Sequence, residues 1–307
     1  MKERSISRRK HVALHLALVV FVATACIISI GASSRSASAQ PLLGSTYYFK
    51  NSFNGGAADK VVSYGKMTDT ILVGDWNGDG KDTLAVRRGN TYYIKNSIAG
   101  GNADAVVSYG KATDNVLVGD WNGDGKDTLA VRRGNTYYFK NSISGGRADK
   151  VIAYGRSTDT VLVGDWDGNN TDTLAIRRGS TYFIKNSFTG GSADRVFSYG
   201  HVNDQVLVGD WNGDKSDSFA VRRGNTYYMS NALAGGRADK TITYGKAADV
   251  VLVGDWDGNR TSTLAVRRVV FPNCATAKAY VSTPIHRGQV GYSADLDRDN
   301  DGLACES

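Results

Sequence analysis

The chain has 307 residues and a formal charge of +7, with 28 Asp against only two Glu. Six Lys/Arg and one Glu in residues 1–39 carry five of those seven charges, which leaves the remainder near +2. Basic residues beyond the leader alternate with Asp and do not cluster, so the electrostatic footprint of a nucleic-acid binder is missing, and nucleic acid is excluded as the main partner.

Residues 1–39 come first. Lys2, Arg4, Arg8, Arg9 and Lys10 form a basic start, an apolar run extends from Val12 to about Ile30, and Ala37-Ser38-Ala39 is an A-x-A cleavage signal. This pattern predicts a signal peptide cleaved after Ala39. The apolar run could reach roughly 30 Å as a helix, so an uncleaved N-terminal anchor is the alternative. Both place the rest of the chain outside the cell, and the chain meets a membrane only through an uncleaved leader.

A Gly-Asp-Trp triplet then recurs at 74–76, 119–121, 164–166, 209–211 and 254–256, always 45 residues apart. It marks five units that tile residues 44–268: 44–88, 89–133, 134–178, 179–223 and 224–268. Each unit must be one supersecondary element that buries its apolar face on its neighbours. Unit 2 contains four β-like runs, TYYIKNS, AVVSYG, NVLVGDW and DTLAVRR, separated by turn material, with no helical period. Four strands per 45 residues predict a propeller blade, and five units predict an all-β, five-bladed β-propeller.

NVLVGDW is the most continuously apolar run and is expected innermost, followed outward by DTLAVRR, TYYIKNS and AVVSYG. The repeats would then begin with a third and fourth strand and end with a first and second. The N-terminal strands would complete the last blade and close the ring, whereas an open stack would leave unpaired edges. Trp76, Trp121, Trp166, Trp211 and Trp256 are expected at blade interfaces. The Tyr pairs should split between buried and exposed faces. One Arg of each pair from Arg87-Arg88 to Arg267-Arg268 should be held against a repeated Asp such as Asp69 or Asp114.

The Asp excess has a second use in the loop DWNGDGKD. Oxygen-bearing side chains fall at positions 1, 3 and 5, as Asp75, Asn77 and Asp79, and Gly80 stands at position 6. Alternating short acids followed by a glycine are the first half of an EF-hand loop, with the Lys81 carbonyl at position 7. A plain hairpin turn is the alternative, because Asn-Gly and Asp-Gly are strong turn formers. Unit 2 repeats the set with Asp120, Asn122, Asp124 and Lys126. The other units offer Asp165, Asp167 and Asn169; Asp210, Asn212 and Asp214; and Asp255, Asp257 and Asn259, with Asn170, Lys215 or Arg260 at position 6.

These loops resemble the FG-GAP or VCBS-type repeats of integrin-like propellers, across all five units. The resemblance implies Ca²⁺ held between the first two strands of each blade. The family's last acid is at position 9; here that position is Thr or Ser, and an acid stands at position 8, as Asp82 and Asp127 in the first two units. Asp82 and Asp127 are therefore further candidate ligands.

Residues 269–307 break the repeat and form a small C-terminal module. Cys274 and Cys305 are the only cysteines beyond the leader, so a disulfide is expected in an exported chain. Asp297, Asp299 and Asp301 again occupy positions 1, 3 and 5, with Gly302 at 6 and Cys305-Glu306 after it. The run is similar to the excalibur domain, whose core is D-x-D-x-D-G-x-x-C-E. Carried over, that resemblance makes Asp297, Asp299, Asp301 and Glu306 the expected calcium ligands, with Asp295 as a further candidate.

Beyond the leader only His201 and His286 remain, and neither is near a nucleophile motif. No enzyme is expected, and Ca²⁺ is the one expected cofactor. The function expected is a secreted or surface-retained interaction protein of a bacterium, monomeric, with an extracellular protein or cell-wall glycan as partner. A lectin with sugar sites between blades and a polysaccharide-active enzyme are the alternatives.

Overall fold

The computed structural model describes residues 44–306, so the signal peptide or anchor expected over 1–39 lies outside the described residues. Between Gly44 and Arg268 the chain is strand and turn. In chain order the strands are β1 (Gly44–Phe49), β2 (Lys60–Lys66), β3 (Thr70–Gly74), β4 (Thr83–Arg88), β5 (Thr91–Ile94), β6 (Ala105–Ser108), β7 (Asn115–Gly119), β8 (Thr128–Arg133), β9 (Thr136–Phe139) and β10 (Lys150–Ala153). They continue as β11 (Thr160–Gly164), β12 (Thr173–Arg178), β13 (Thr181–Lys185), β14 (Arg195–Ser198), β15 (Gln205–Gly209), β16 (Ser218–Arg223), β17 (Thr226–Met229), β18 (Lys240–Thr243), β19 (Val250–Gly254) and β20 (Thr263–Arg268).

These strands make five four-stranded antiparallel sheets, the blades of a five-bladed β-propeller. Blades 1 to 4 are β3–β6, β7–β10, β11–β14 and β15–β18, and blade 5 has the order β19-β20-β1-β2. β1 pairs with β20, Tyr47 opposite Arg267 and Phe49 opposite Ala265, so the N-terminal strands do complete the last blade. The first strands touch one another around the ring, β19 meeting β3. No blade is left without a neighbour, which removes the unpaired faces of an open stack.

The burial pattern follows from this geometry. First strands are half-buried, whereas the second strand β4 buries four successive residues, Thr83 to Val86, because it has a blade against each face. Third strands alternate: Tyr92 and Ile94 are buried, Thr91 and Tyr93 half-buried. The core is five equivalent layers between blades. Trp76 packs with Ala85 and Tyr92 of its own blade and with Leu129 and Val131 of blade 2. The five Trp are only 4–5% exposed.

Two polar rings add to these layers. Tyr64, Tyr109, Tyr154, Tyr199 and Tyr244 each donate a hydroxyl bond of 3.0–3.2 Å to a third-strand carbonyl of the next blade. Arg88, Arg133, Arg178, Arg223 and Arg268 form two-pronged pairs with the buried Asp69, Asp114, Asp159, Asp204 and Asp249. The other Arg of each pair reaches across the boundary, as Arg132 does to the Arg156, Ser157 and Asp159 carbonyls.

After β20 the chain forms helix α1 (Cys274–Tyr280) and the short strands β21 (Ile285–His286) and β22 (Leu303–Ala304). The Asn273 side chain caps α1 by accepting the Thr276 amide at 2.8 Å. Cys274 and Cys305 are joined by the expected disulfide. Phe271, Ala277, Ile285 and Ala304 form a separate small core, and Val269 and Met67 pack against it. Met67 belongs to the turn between β2 and β3, where the other units carry Ala112, Ser157, Val202 and Ala247. Among the described residues no helix is long and apolar enough to cross a membrane.

Candidate calcium centres

All five propeller loops adopt one turn. In blade 1 the Asp75 carboxylate accepts the amides of Gly78 and Asp79 on Oδ1 and that of Gly80 on Oδ2, at 2.7–3.1 Å. Asp79 accepts the Lys81 amide at 3.0 Å, and the Asn77 amide group donates to Asp79 at 3.0 Å. The position-6 amide reaches the first Asp in every other unit as well, onto Asp120, Asp165, Asp210 and Asp255 at 2.6–2.7 Å. The position-5 side chains Asp124, Asn169, Asp214 and Asn259 likewise accept the amide two residues on. Asn122 and Asn212 donate to Asp124 and Asp214 as Asn77 does to Asp79. Asp257 accepts the Asn259 amide at 3.2 Å, and the Asp167 carboxylate adds its field to that of Asp165.

Position 6 requires a left-handed backbone. Gly80 and Gly125 have φ of 81°, and Asn170, Lys215 and Arg260 hold the same region at 63°, 78° and 70°. Loss of glycine in units 3 to 5 therefore strains the turn without changing it. Lys81 and Lys126 lie where a Cβ on Gly258 or Gly78 of the preceding blade would meet their side chains at 3.0–3.2 Å.

Position 8 has a role that the sequence did not disclose. Asp127 accepts the Asp75 amide at 2.8 Å and donates its own amide to the Asp75 carbonyl at 2.8 Å, across the boundary between blades 1 and 2. Asp172, Asp217 and Asp82 do the same for Asp120, Asp165 and Asp255, and the Ser262 hydroxyl takes this place for Asp210. Asp82 and Asp127, expected to complete their own loops, each direct a carboxylate oxygen to the preceding blade. At position 9 the Thr83 and Thr128 hydroxyls donate to the Lys95 and Lys140 carbonyls at 2.6 Å. Burial pushes Asp82 and Asp217 up to about 7, and Asp127 and Asp172 well above the carboxylate range, with neighbouring Asp carboxylates adding to the shift. A one-sequence signal for this latch existed: the acid is displaced from position 9 to 8 in four units.

The C-terminal loop repeats the same turn on a different scaffold. Gly302 donates to Asp297 at 3.0 Å and Leu303 to Asp301 at 2.8 Å, matching the position 6-to-1 and 7-to-5 bonds of the blades. Here, however, three acids converge: oxygens of Asp297, Asp299 and Asp301 all lie within 4.8 Å of one another. Asp297 is 3% exposed, and its Oδ1 is buried with no protein donor. Its Oδ2 accepts the Tyr292 hydroxyl and lies 3.5 Å from Arg287. The Tyr292 bond, with the Gly302 amide and Arg287, holds Asp297 below the usual carboxylate range. Glu306 is pushed upward, chiefly by the Asp301 carboxylate and also by Asp299 and Asp297, which places it in the same field. Asp295, Asp299 and Glu306 line one cleft of about 440 Å³. Tyr292 and Arg287 were not among the residues expected at the site, although Tyr292 belongs to the Tyr-Ser pair that precedes the acidic run.

The donor set suits a hard cation. Carboxylates in this number, one carrying a buried oxygen without a hydrogen, are what Ca²⁺ takes and what an uncharged ligand would not satisfy.

Comparison with known proteins agrees for this segment. Residues 271–306 match the Excalibur calcium-binding domain, so the molecule is a five-bladed β-propeller followed by an Excalibur calcium-binding domain. No curated protein matches the chain significantly. Among solved structures it is similar to an Agrocybe aegerita lectin described for recognition of non-reducing terminal N-acetylglucosamine, with a TM-score of 0.40 and 15% identity over 72% of this chain and 70% of that one. It is also similar to the Photorhabdus luminescens Tc holotoxin pore, with a TM-score of 0.42 and 12% identity over 73% of this chain and 12% of that one. Neither likeness is close enough to carry a ligand across.

Proposed function

We propose that the chain is a non-catalytic, calcium-dependent binding protein, secreted or wall-associated, whose Excalibur loop is its tightest Ca²⁺ site. The observation that carries this is the Asp297 Oδ1, buried without a donor beside Asp299 and Asp301. Asp297, Asp299 and Asp301 would hold the ion, with Glu306 closing the shell. Bound Ca²⁺ supplies a fixed divalent charge that holds mutually repelling carboxylates together.

The propeller loops are proposed as weaker sites of FG-GAP/VCBS type. Their shared turn with the Excalibur loop supports this; their lower affinity follows because amides already engage both oxygens of the first Asp. A non-catalytic role is supported by the use of the four buried position-8 carboxyls, Asp82, Asp127, Asp172 and Asp217: each is bonded to the backbone of a neighbouring blade and holds the ring together. An extracellular location is supported by the disulfide and by the Excalibur domain, both typical of extracellular proteins.

Thermal unfolding in Ca²⁺ and in EDTA tests this reading. A ligand that binds only the folded state raises the midpoint, so Ca²⁺ should raise it for the wild type and much less for Asp301→Asn. Equal midpoints in both buffers would sink the proposal.

A further inference from the structure

We propose that the grooves between neighbouring blades are sugar subsites, making the ring a multivalent receptor for a neutral, repeating extracellular glycan. This names a partner class for the binding role proposed above, and it rests on residues far from the calcium loops.

Two grooves open at equivalent boundaries. The one between blades 4 and 5 has a volume of about 450 Å³ and is lined by Tyr48, Ala58, Val61, Tyr244 and Arg268. The one between blades 2 and 3 has about 350 Å³ and is lined by Phe183, Ala193, Val196, Tyr154 and Arg178. These residues correspond one to one by whole 45-residue repeats. Such volumes are at the lower end for small-ligand pockets, enough for one or two pyranose rings.

The floor of each groove is fixed in advance. Tyr244 donates to the Tyr48 carbonyl and Tyr154 to the Phe183 carbonyl, at 3.0 and 3.2 Å. The guanidinium of Arg268 lies 4.7 Å over Tyr48, and that of Arg178 4.8 Å over Phe183. Nε and Nη2 of each Arg are engaged by Asp249 or Asp159, and each Arg also lines its groove. The buried Asp balances the charge of the Arg, so the pair offers a hydrogen-bond donor without a net charge. That chemistry suits hydroxyl and carbonyl oxygens and does not favour a free anion.

The wall is apolar where solvent would favour a polar residue. Val61, Val106, Val151 and Val196 are 52–59% exposed at the same place in four units, with Thr241 in the fifth. Nearby surface positions vary freely, as Ala57, Asn102, Arg147, Ser192 and Arg237 show. An exposed Val beside an oriented donor matches the two faces of a pyranose, apolar C–H on one side and hydroxyls at the rim. Gly56 and Gly191 line the mouths in open space, with nothing within 4 Å of an added Cβ. Equivalent grooves at repeated blade boundaries match a ligand made of repeated units, where linked weak sites multiply affinity without new contacts.

The test begins with the folded chain on an array of neutral polysaccharides and extended peptides. Bound glycans are then titrated against wild type and a variant with Val61, Val106, Val151 and Val196 all changed to Asp. The expected result is polymer binding that weakens about 100-fold in the variant, on the scale of lost multivalency, while short fragments bind the wild type only weakly. A Val→Ser quartet, milder for folding, should show the same direction. The proposal is overturned if a folded variant keeps its glycan binding, if peptides bind and sugars do not, or if no sugar binds. Calcium titration of the same variant separates the two readings: it should be unchanged, whereas undiminished Ca²⁺ binding in Asp301→Asn with sugar binding intact would count against the calcium site alone.

Discussion

Each letter of the Gly-Asp-Trp triplet answers to a separate contact. A Cβ on Gly74, Gly119, Gly164, Gly209 or Gly254 would sit 2.7–2.9 Å from the position-8 side chain of the next blade, so the glycine is needed for close approach between blades. The Asp folds its own loop by accepting three amides, and the Trp fills the layer between blades. Gly119→Ala should therefore destabilise the ring although its φ is not left-handed. At position 8, Ser262 already does with a hydroxyl what the four Asp do with a carboxylate. Asp172→Ser should accordingly change stability by less than about 1 kcal/mol, whereas Asp172→Leu leaves the Asp120 amide buried without an acceptor and should cost about 2 kcal/mol. Urea unfolding midpoints check both. The acids at positions 1, 3 and 5 were legible in the sequence because their partners lie within the same loop. The partner of Asp172 is 52 residues away, and a period of 45 does not say on which side of a blade boundary a side chain turns.

At the scale of elements, the pairing of β1 with β20 was legible because the order of strands within a unit leaves no other way to close the ring. The seat of the C-terminal module was not, since it depends on one departure from the repeat. Met67 takes the place of Ala112, and an isolated bridge joins Val270 to Gly291. Met67→Ala should loosen this seat, seen as faster proteolysis within 269–306 with the unfolding midpoint of the ring unchanged. Reduction of Cys274–Cys305 should act on the same module, because a crosslink spanning 31 residues is worth about 3–4 kcal/mol by chain entropy. The Arg178–Asp159 pair behaves differently. Arg178 holds Asp159 below its ordinary carboxylate range, so the pair stabilises the fold fully above the unfolded value near 3.8 and loses that contribution as pH falls through the lower folded value. Asp159→Asn should cost about 2 kcal/mol at pH 7, and the gap to wild type should close below about pH 4.

For the whole molecule, fivefold repetition sets both stability and use. Every boundary carries the same Trp layer, Tyr hydroxyl bond and position-8 latch, so the ring is held by five near-equal joints and no single one is dominant. The same repetition multiplies whatever each loop or groove binds. The Excalibur module stands outside the repeat, and the acid cluster with a buried, donor-free oxygen is found there. Calorimetric titration with Ca²⁺ of the wild type and of the Asp299→Asn/Asp301→Asn double variant tests this assignment most directly. The account predicts that the tightest site disappears in the variant while weaker loop sites remain. An unchanged tightest site, or no Ca²⁺ binding by the wild type, would contradict it.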